Sequence, residues 1–368
     1  MSSFIGELKD RSVLVCCGPG GVGKTTVSAT LGLKLASLGK NVCVLTVDPA
    51  RRLADALGLD ELSNDPVSVP GVIDGSLWAV MLDTKKTFDG LIDRYATSPE
   101  QATSIKSNRL YQNLSSALSG TQEYMAMEKL YELVSSGKYD VVVVDTPPTR
   151  NALELLDAPQ RLTSFLQNRI FRALLTPTKA YLKAVSLATR TLLSTIGNVA
   201  GAELLDDVLT FFQAFAGMEE GFATRAQEIH EQLRNPSTGF VLVSSPRSDA
   251  IAEATFFDGR LNEAGLSTAG LVINRVYPMF FDGSIPRRLT SKKKGDLGVL
   301  VENLARAMEI STQEAAACSG LVEAVAPAPV ALIPLTIDEV HDLTGLARLG
   351  EFFDDVPPEP PRSRRKSD

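Results

Sequence analysis

The chain has 368 residues, beyond the roughly 250–300 at which single cores stop growing, so one large α/β unit carrying an embedded subdomain is expected. Hydrophobic residues make up 44% and charged residues 22%, which excludes a largely disordered chain. A net charge of −7 disfavours nonspecific binding to nucleic acid or an anionic membrane, so no nucleic-acid partner is expected and partners are to be sought in local chemistry.

The first seventeen residues carry charges up to Arg11 and reach Gly18 after a short apolar run. That pattern resembles neither a signal peptide nor a membrane anchor, and a cytoplasmic protein is expected. Ser12–Cys17 reads as a buried parallel strand, because it is continuously apolar and stops abruptly at Gly18. After a glycine-rich turn, Val27, Leu31, Leu35 and Leu38 fall at helical spacing up to the stop at Gly39. Asn41–Val47 is a second strand ending at Asp48-Pro49, which closes a β-α-β unit. Further strands are predicted at Leu77–Leu82, Asp140–Val144, Phe240–Ser244, Ala269–Ile273 and Val330–Leu335. Apolar runs without alternation, separated by helical stretches, predict a doubly wound, mostly parallel sheet with helices on both faces.

Two blocks depart from that rhythm. One lies at about 97–136, and the other, at about 151–235, is a helical subdomain inserted in the sheet domain. Arg172, Lys179, Lys183 and Arg190 interrupt the most apolar part of the insertion, leaving no charge-free run of the roughly 20 residues that a membrane span needs. Ser284–Gly298, with three consecutive lysines, reads as a solvated loop. The Pro-rich, charged tail 356–368 reads as disordered, which leaves 1–355 as the folded domain. Four cysteines and two histidines form no CxxC or His-x-x-x-His pair, so no zinc is expected. Cys16, Cys17 and Cys43 lie in apolar runs and read as buried thiols.

The strongest signal is Gly18–Thr26 (GPGGVGKTT), which satisfies G-x-x-x-x-G-K-[ST] after a strand and before a helix. Amides of Gly20, Gly21, Val22 and Gly23 are placed to curl around phosphate oxygens at the positive end of the helix. Lys24 is expected on the β- and γ-phosphates of ATP, Thr25 on Mg²⁺, and Thr26 near the α-phosphate. Asp145 ends the run Val141–Val144 on the edge where ligands bind, as a carboxylate holding Mg²⁺ through water would. Asp48 has the same position on its own strand, either to orient an attacking water or to cap the helix that follows.

These motifs resemble the dimeric ATPases that include the arsenite-pump ATPase and the ATPase targeting tail-anchored membrane proteins, P-loop proteins with a deviant Walker motif. The resemblance runs through roughly residue 355 and rests on Gly18–Thr26, on Thr46–Asp55 and Asp145–Thr149 as its two switches, and on Asn274 with Ile333-Pro334-Leu335. It implies that Asp48 activates water and that Asn274, Pro334 and Leu335 hold adenine. It also places Glu123, three residues after Gly120, near the nucleotide. The family's signature lysine, which crosses the dimer to the partner's phosphates, is Pro19 in this chain. That departure predicts either slow turnover as a homodimer or a heterodimer with a lysine-bearing paralogue.

What the resemblance implies is an ATP-hydrolysing dimer that couples nucleotide to conformational change and acts as a chaperone for a hydrophobic helical client. Phe211, Phe212, Phe215, Met218 and the Ile170–Leu175 face either line a client groove or pack the insertion's own core. The alternatives are the catalytic subunit of an anion or metalloid pump and a positioning ATPase resembling MinD. The first lacks an accessible cysteine trio and the second a C-terminal amphipathic helix.

Overall fold

A computed structural model describes residues 3–48, 50–109, 111–112, 121–147, 157–164, 167, 210–211, 213–279, 296–336, 340 and 342–354. The strands are β1 (Val13–Cys17), β2 (Asn41–Thr46), β3 (Val67–Ser68), β4 (Ser76–Met81), β5 (Val141–Asp145), β6 (Thr238–Ser244), β7 (Thr268–Val276) and β8 (Val330–Pro334). They form one eight-stranded sheet in the order β3-β4-β2-β5-β1-β6-β7-β8. Every pairing is parallel except that of the two-residue edge strand β3 with β4.

The helices are α1 (Phe4–Leu8), α2 (Lys24–Ser37), α3 (Arg52–Leu57), α4 (Thr84–Tyr95), α5 (Pro99–Ser107), α6 (Thr121–Ser135), α7 (Glu219–Arg234), α8 (Ser248–Glu263), α9 (Asp296–Ala324) and α10 (Leu343–Glu351). Side chains alternate across each strand, so the apolar runs feed two cores. Val13, Val15 and Cys17 pack with residues of α4, α6 and α7 on one face. Leu14 and Cys16 pack with α1, α2, α3 and α10 on the other. Burial on both faces is what the missing alternation requires, and the sheet is doubly wound as expected.

Predicted strands and observed ones differ by one to three residues at their ends, and the two-residue edge strand β3 is not among the predicted ones. One expectation is corrected: α9 begins at Asp296, so the end of the predicted Ser284–Gly298 loop is helical. Asp296–Ala324 buries only Ala307, Ser311, Cys318 and Leu321, and so sparse a stripe gives little periodic signal. Within the predicted insertion the described residues supply a helix at 157–164 and α7. Phe212, Ile170–Leu175, Gly120, Thr149, the lysine run and the tail 356–368 lie outside the described residues. Phe211, Phe215 and Met218 are buried, and Phe211 and Phe215 join a chain of rings through Tyr111, Phe88, Phe222 and Tyr95. At these three positions the apolar stripe packs inward rather than lining a groove.

Candidate functional site

Parallel strands put their C-terminal ends on one edge, where a doubly wound sheet opens its ligand crevice. The loop after β1 occupies the middle of that edge. Two glycines make its path possible. Gly18 has φ +150, and a Cβ there would lie 2.0 Å from the Val243 carbonyl oxygen. Gly23 has φ +92 and a Cβ would lie 2.4 Å from Asn274 Nδ2. Gly23 is also the N-cap of α2 and offers no side-chain cap, so the first-turn amides stay turned toward the loop with the helix dipole behind them.

Lys24 is only 7% exposed and folds back along the loop, its Nζ donating to the carbonyls of Gly18 at 3.0 Å and Pro19 at 2.8 Å. Burial lowers its pKa, opposed chiefly by the nearby Asp145 charge. Thr25 Oγ1 donates to Asp145 Oδ2 at 2.8 Å, and Thr46 Oγ1 donates to the same oxygen at 3.0 Å. Asp145 Oδ1 is buried and without a hydrogen-bond partner among the described residues. Burial pushes this carboxyl up to about 6, against the pull of the two threonine hydroxyls and Lys24. A buried carboxylate oxygen with nothing to accept, beside a threonine hydroxyl, fits a hydrated divalent cation, whose water would donate to Oδ1.

Asp48 follows β2. Its Oδ1 accepts from the Ala50 amide at 2.9 Å and its Oδ2 lies 3.3 Å from Arg52 Nη1. The N-cap of α3 is Arg51, so Asp48 folds its own turn and does not cap that helix. Gln122 Nε2 donates to the Val47 carbonyl at 3.2 Å. Glu123, one residue on, is 5% exposed with Oε2 buried and unpartnered among the described residues. Asn274 Nδ2 donates to the Val22 carbonyl at 2.8 Å, which brings the end of β7 against the loop. On the neighbouring strand β8, Pro334 pairs with Val276 of β7, and Leu335, half exposed, donates its amide to the Val276 carbonyl at 2.8 Å. The structure thus gathers Gly20–Thr26, Asp48 and Asp145 at one edge, with Asn274, Pro334 and Leu335 on its flank.

Gln122 and Arg275 are not visible as site residues in the sequence, and Thr46 enters only as the first residue of the Thr46–Asp55 switch segment. Its own trace there is a hydroxyl at the end of an otherwise apolar strand. The cysteines are all buried. Burial pushes Cys16 and Cys43 up to about 12 and Cys17 well above its ordinary value, so these thiols stay protonated and poor metal ligands.

The family described as anion-transporting ATPase matches residues 11–302, well over half of the chain. An ATPase GET3 of Malassezia globosa is 28% identical over 274 residues, covering 74% of this chain and 75% of that protein. An ATPase ASNA1 homolog of Cryptosporidium parvum is 30% identical over 278 residues, 73% of this chain and 66% of its own. A protein of Aquifex aeolicus, named provisionally as arsenical pump-driving ATPase 1, is 24% identical over 353 residues, 94% of this chain and 80% of its own.

Proposed function

Because the chain belongs to the anion-transporting ATPase family and is an ATPase, we propose that it couples ATP binding and hydrolysis at the β1 loop to the movement of its helical layer. The arrangement that carries this reading is Thr25 and Thr46 sharing one oxygen of Asp145 while Lys24 lies along the loop. Lys24 exchanges the carbonyls of Gly18 and Pro19 for the β- and γ-phosphates. The loop amides from Gly20 to Thr26 hold the remaining phosphate oxygens. Thr25 would hold Mg²⁺ and Asp145 would hold it through water, and the ion would supply neutralisation of phosphate charge. Asp48 orients the attacking water after releasing Arg52, and Asn274, Pro334 and Leu335 flank the adenine. When the γ-phosphate leaves, the segments around Asp48 and Asp145 relax together, a switch of the order-disorder kind.

The partner in this reading is a second copy of the chain or a lysine-bearing paralogue, and the cargo is a hydrophobic helical client. Buried, protonated thiols speak against a metalloid-pump subunit. Among the described residues no helix is long and apolar enough to cross a membrane.

Lys24→Ala is expected to abolish ATP hydrolysis while leaving the circular dichroism spectrum and melting curve near wild type. Unchanged turnover in that variant refutes the site. For the client role, Asp48→Asn should hold the ATP state and bind a fluorescent apolar helical peptide more tightly with ATP than without. Equal anisotropy titrations in both conditions refute it.

A further inference from the structure

Three side chains meet carbonyl oxygens of the same loop. Lys24 takes those of Gly18 and Pro19, Asn274 that of Val22, and Arg275 that of Gly21, its Nη1 donating at 3.4 Å. A loop of this type binds an anion only while its amides converge inward, which requires the carbonyls to be held away from the ligand. A single peptide flip at Gly21 would turn an oxygen toward the phosphates instead.

Consecutive residues of a strand point to opposite faces, so Asn274 and Arg275 ought not both to reach the loop. They do because the register of β7 against β8 shifts between Asn274 and Val276 and because Arg275 has φ +62. A bulge re-aims side chains in this way. The left-handed backbone is strained for a residue with a long side chain, and such strain persists where the surroundings impose it and clusters at functional sites. Arg275 is exposed and lines a 370 Å³ cavity together with Pro19, Gly21, Arg247, Asp249 and Glu314.

We propose that Arg275 is a positioning residue for ATP hydrolysis, which holds the Gly21 carbonyl outward so that the neighbouring amides face the phosphates. The proposal rests on the reading of this loop as the ATP site. Asn274 and Arg275 then act as two prongs on successive peptides, and the strained backbone is the consequence of bringing both to one side.

Glycine adopts φ +62 without strain, so Arg275→Gly separates the two roles. The variant should melt at or above the wild-type temperature yet show a KM for ATP raised about tenfold, the worth of one charge-assisted hydrogen bond, with a much smaller change in kcat. Arg275→Asn, which also tolerates this backbone, should behave alike, and Arg275→Lys should recover part of the affinity. Wild-type KM in Arg275→Gly and Arg275→Asn, or a loss that Arg275→Lys does not relieve, overturns the proposal. Lys24→Ala run in parallel distinguishes the failures. If it is inactive while Arg275→Gly is unaffected, only the Arg275 role falls; if it still hydrolyses ATP, the site reading falls and the proposal with it.

Discussion

Asp145 is held up at about 6 because burial outweighs the hydroxyls of Thr25 and Thr46 and the charge of Lys24. Its pKa is raised above the unfolded value, so the stability contributed by its proton is fully present below about 4 and is lost as pH rises through about 6. Above that window the ionised group costs the nucleotide-free protein on the order of 2–3 kcal/mol. Asp145→Asn is therefore expected to melt at a higher temperature than wild type at pH 7.5 without Mg²⁺, to lose that advantage near pH 4, and to lack Mg²⁺-dependent hydrolysis. Melting curves across pH check the first two, and an equal margin at both pH values refutes the burial argument. The sequence already exposed Lys24, Thr25 and Asp145, since the loop signature and a strand-end carboxylate are local patterns. The role of Thr46 was hidden because it depends on strand order. Only when β5 inserts between β1 and β2 do Thr25 and Thr46 approach Asp145 from opposite sides.

At the scale of elements, α6 links the site to the helices packed on that face of the sheet. Its first turn holds the Val47 carbonyl through Gln122. Further along, the buried Glu128 meets Arg225 of α7 at 3.0 Å and Arg94 of α4 at 3.5 Å. Arg225 also lies over the Tyr131 ring, 4.1 Å from its centroid. Burial pushes Glu128 up to about 7 despite both arginines. Above about pH 7, where Glu128 is ionised, removing Arg225 strands its charge. Arg225→Met should thus cost about 3 kcal/mol in urea unfolding, and Glu128→Leu combined with Arg225→Met should recover most of it, because Arg94 can turn to solvent. A single variant within about 0.5 kcal/mol of wild type would show that the pair does not tie α6 to α7. None of this was legible beforehand. Charges spaced along amphipathic helices read as solvated faces, and only tertiary packing reveals which one is buried. The apolar stripe at Phe211, Phe215 and Met218 was visible, but its inward packing needed Tyr111 and Phe88 from distant parts of the chain.

For the molecule as a whole, the two faces of the sheet are covered and the C-terminal edge is where the proposed nucleotide and partner would meet. Pro19 lies at the cavity beside that edge, at the place where the resembling ATPases send a lysine across a dimer. Arg275 does not replace that lysine, because its guanidinium engages the carbonyl side of its own loop. A homodimer would then face the developing phosphate charge without the two lysines that cross the dimer in the resembling ATPases. Turnover by the purified chain is expected to be low, and Pro19→Lys is expected to raise it at least tenfold, a modest share of what a charge supplied from a partner can contribute. The loop should accept the change, since Pro19 contributes its backbone carbonyl to Lys24, a contact that any residue can provide. If the new lysine acts across a dimer, its benefit must grow with protein concentration and vanish on dilution, whereas a lysine acting within its own chain gives a constant gain per molecule. Mixing the wild-type chain with a Pro19→Lys, Lys24→Ala double variant sharpens the comparison, because the inactive chain can still donate its lysine to an active neighbour that has none. Unchanged turnover in Pro19→Lys at every concentration, with Lys24→Ala inactive, would mean that hydrolysis in this chain does not depend on charge from a partner.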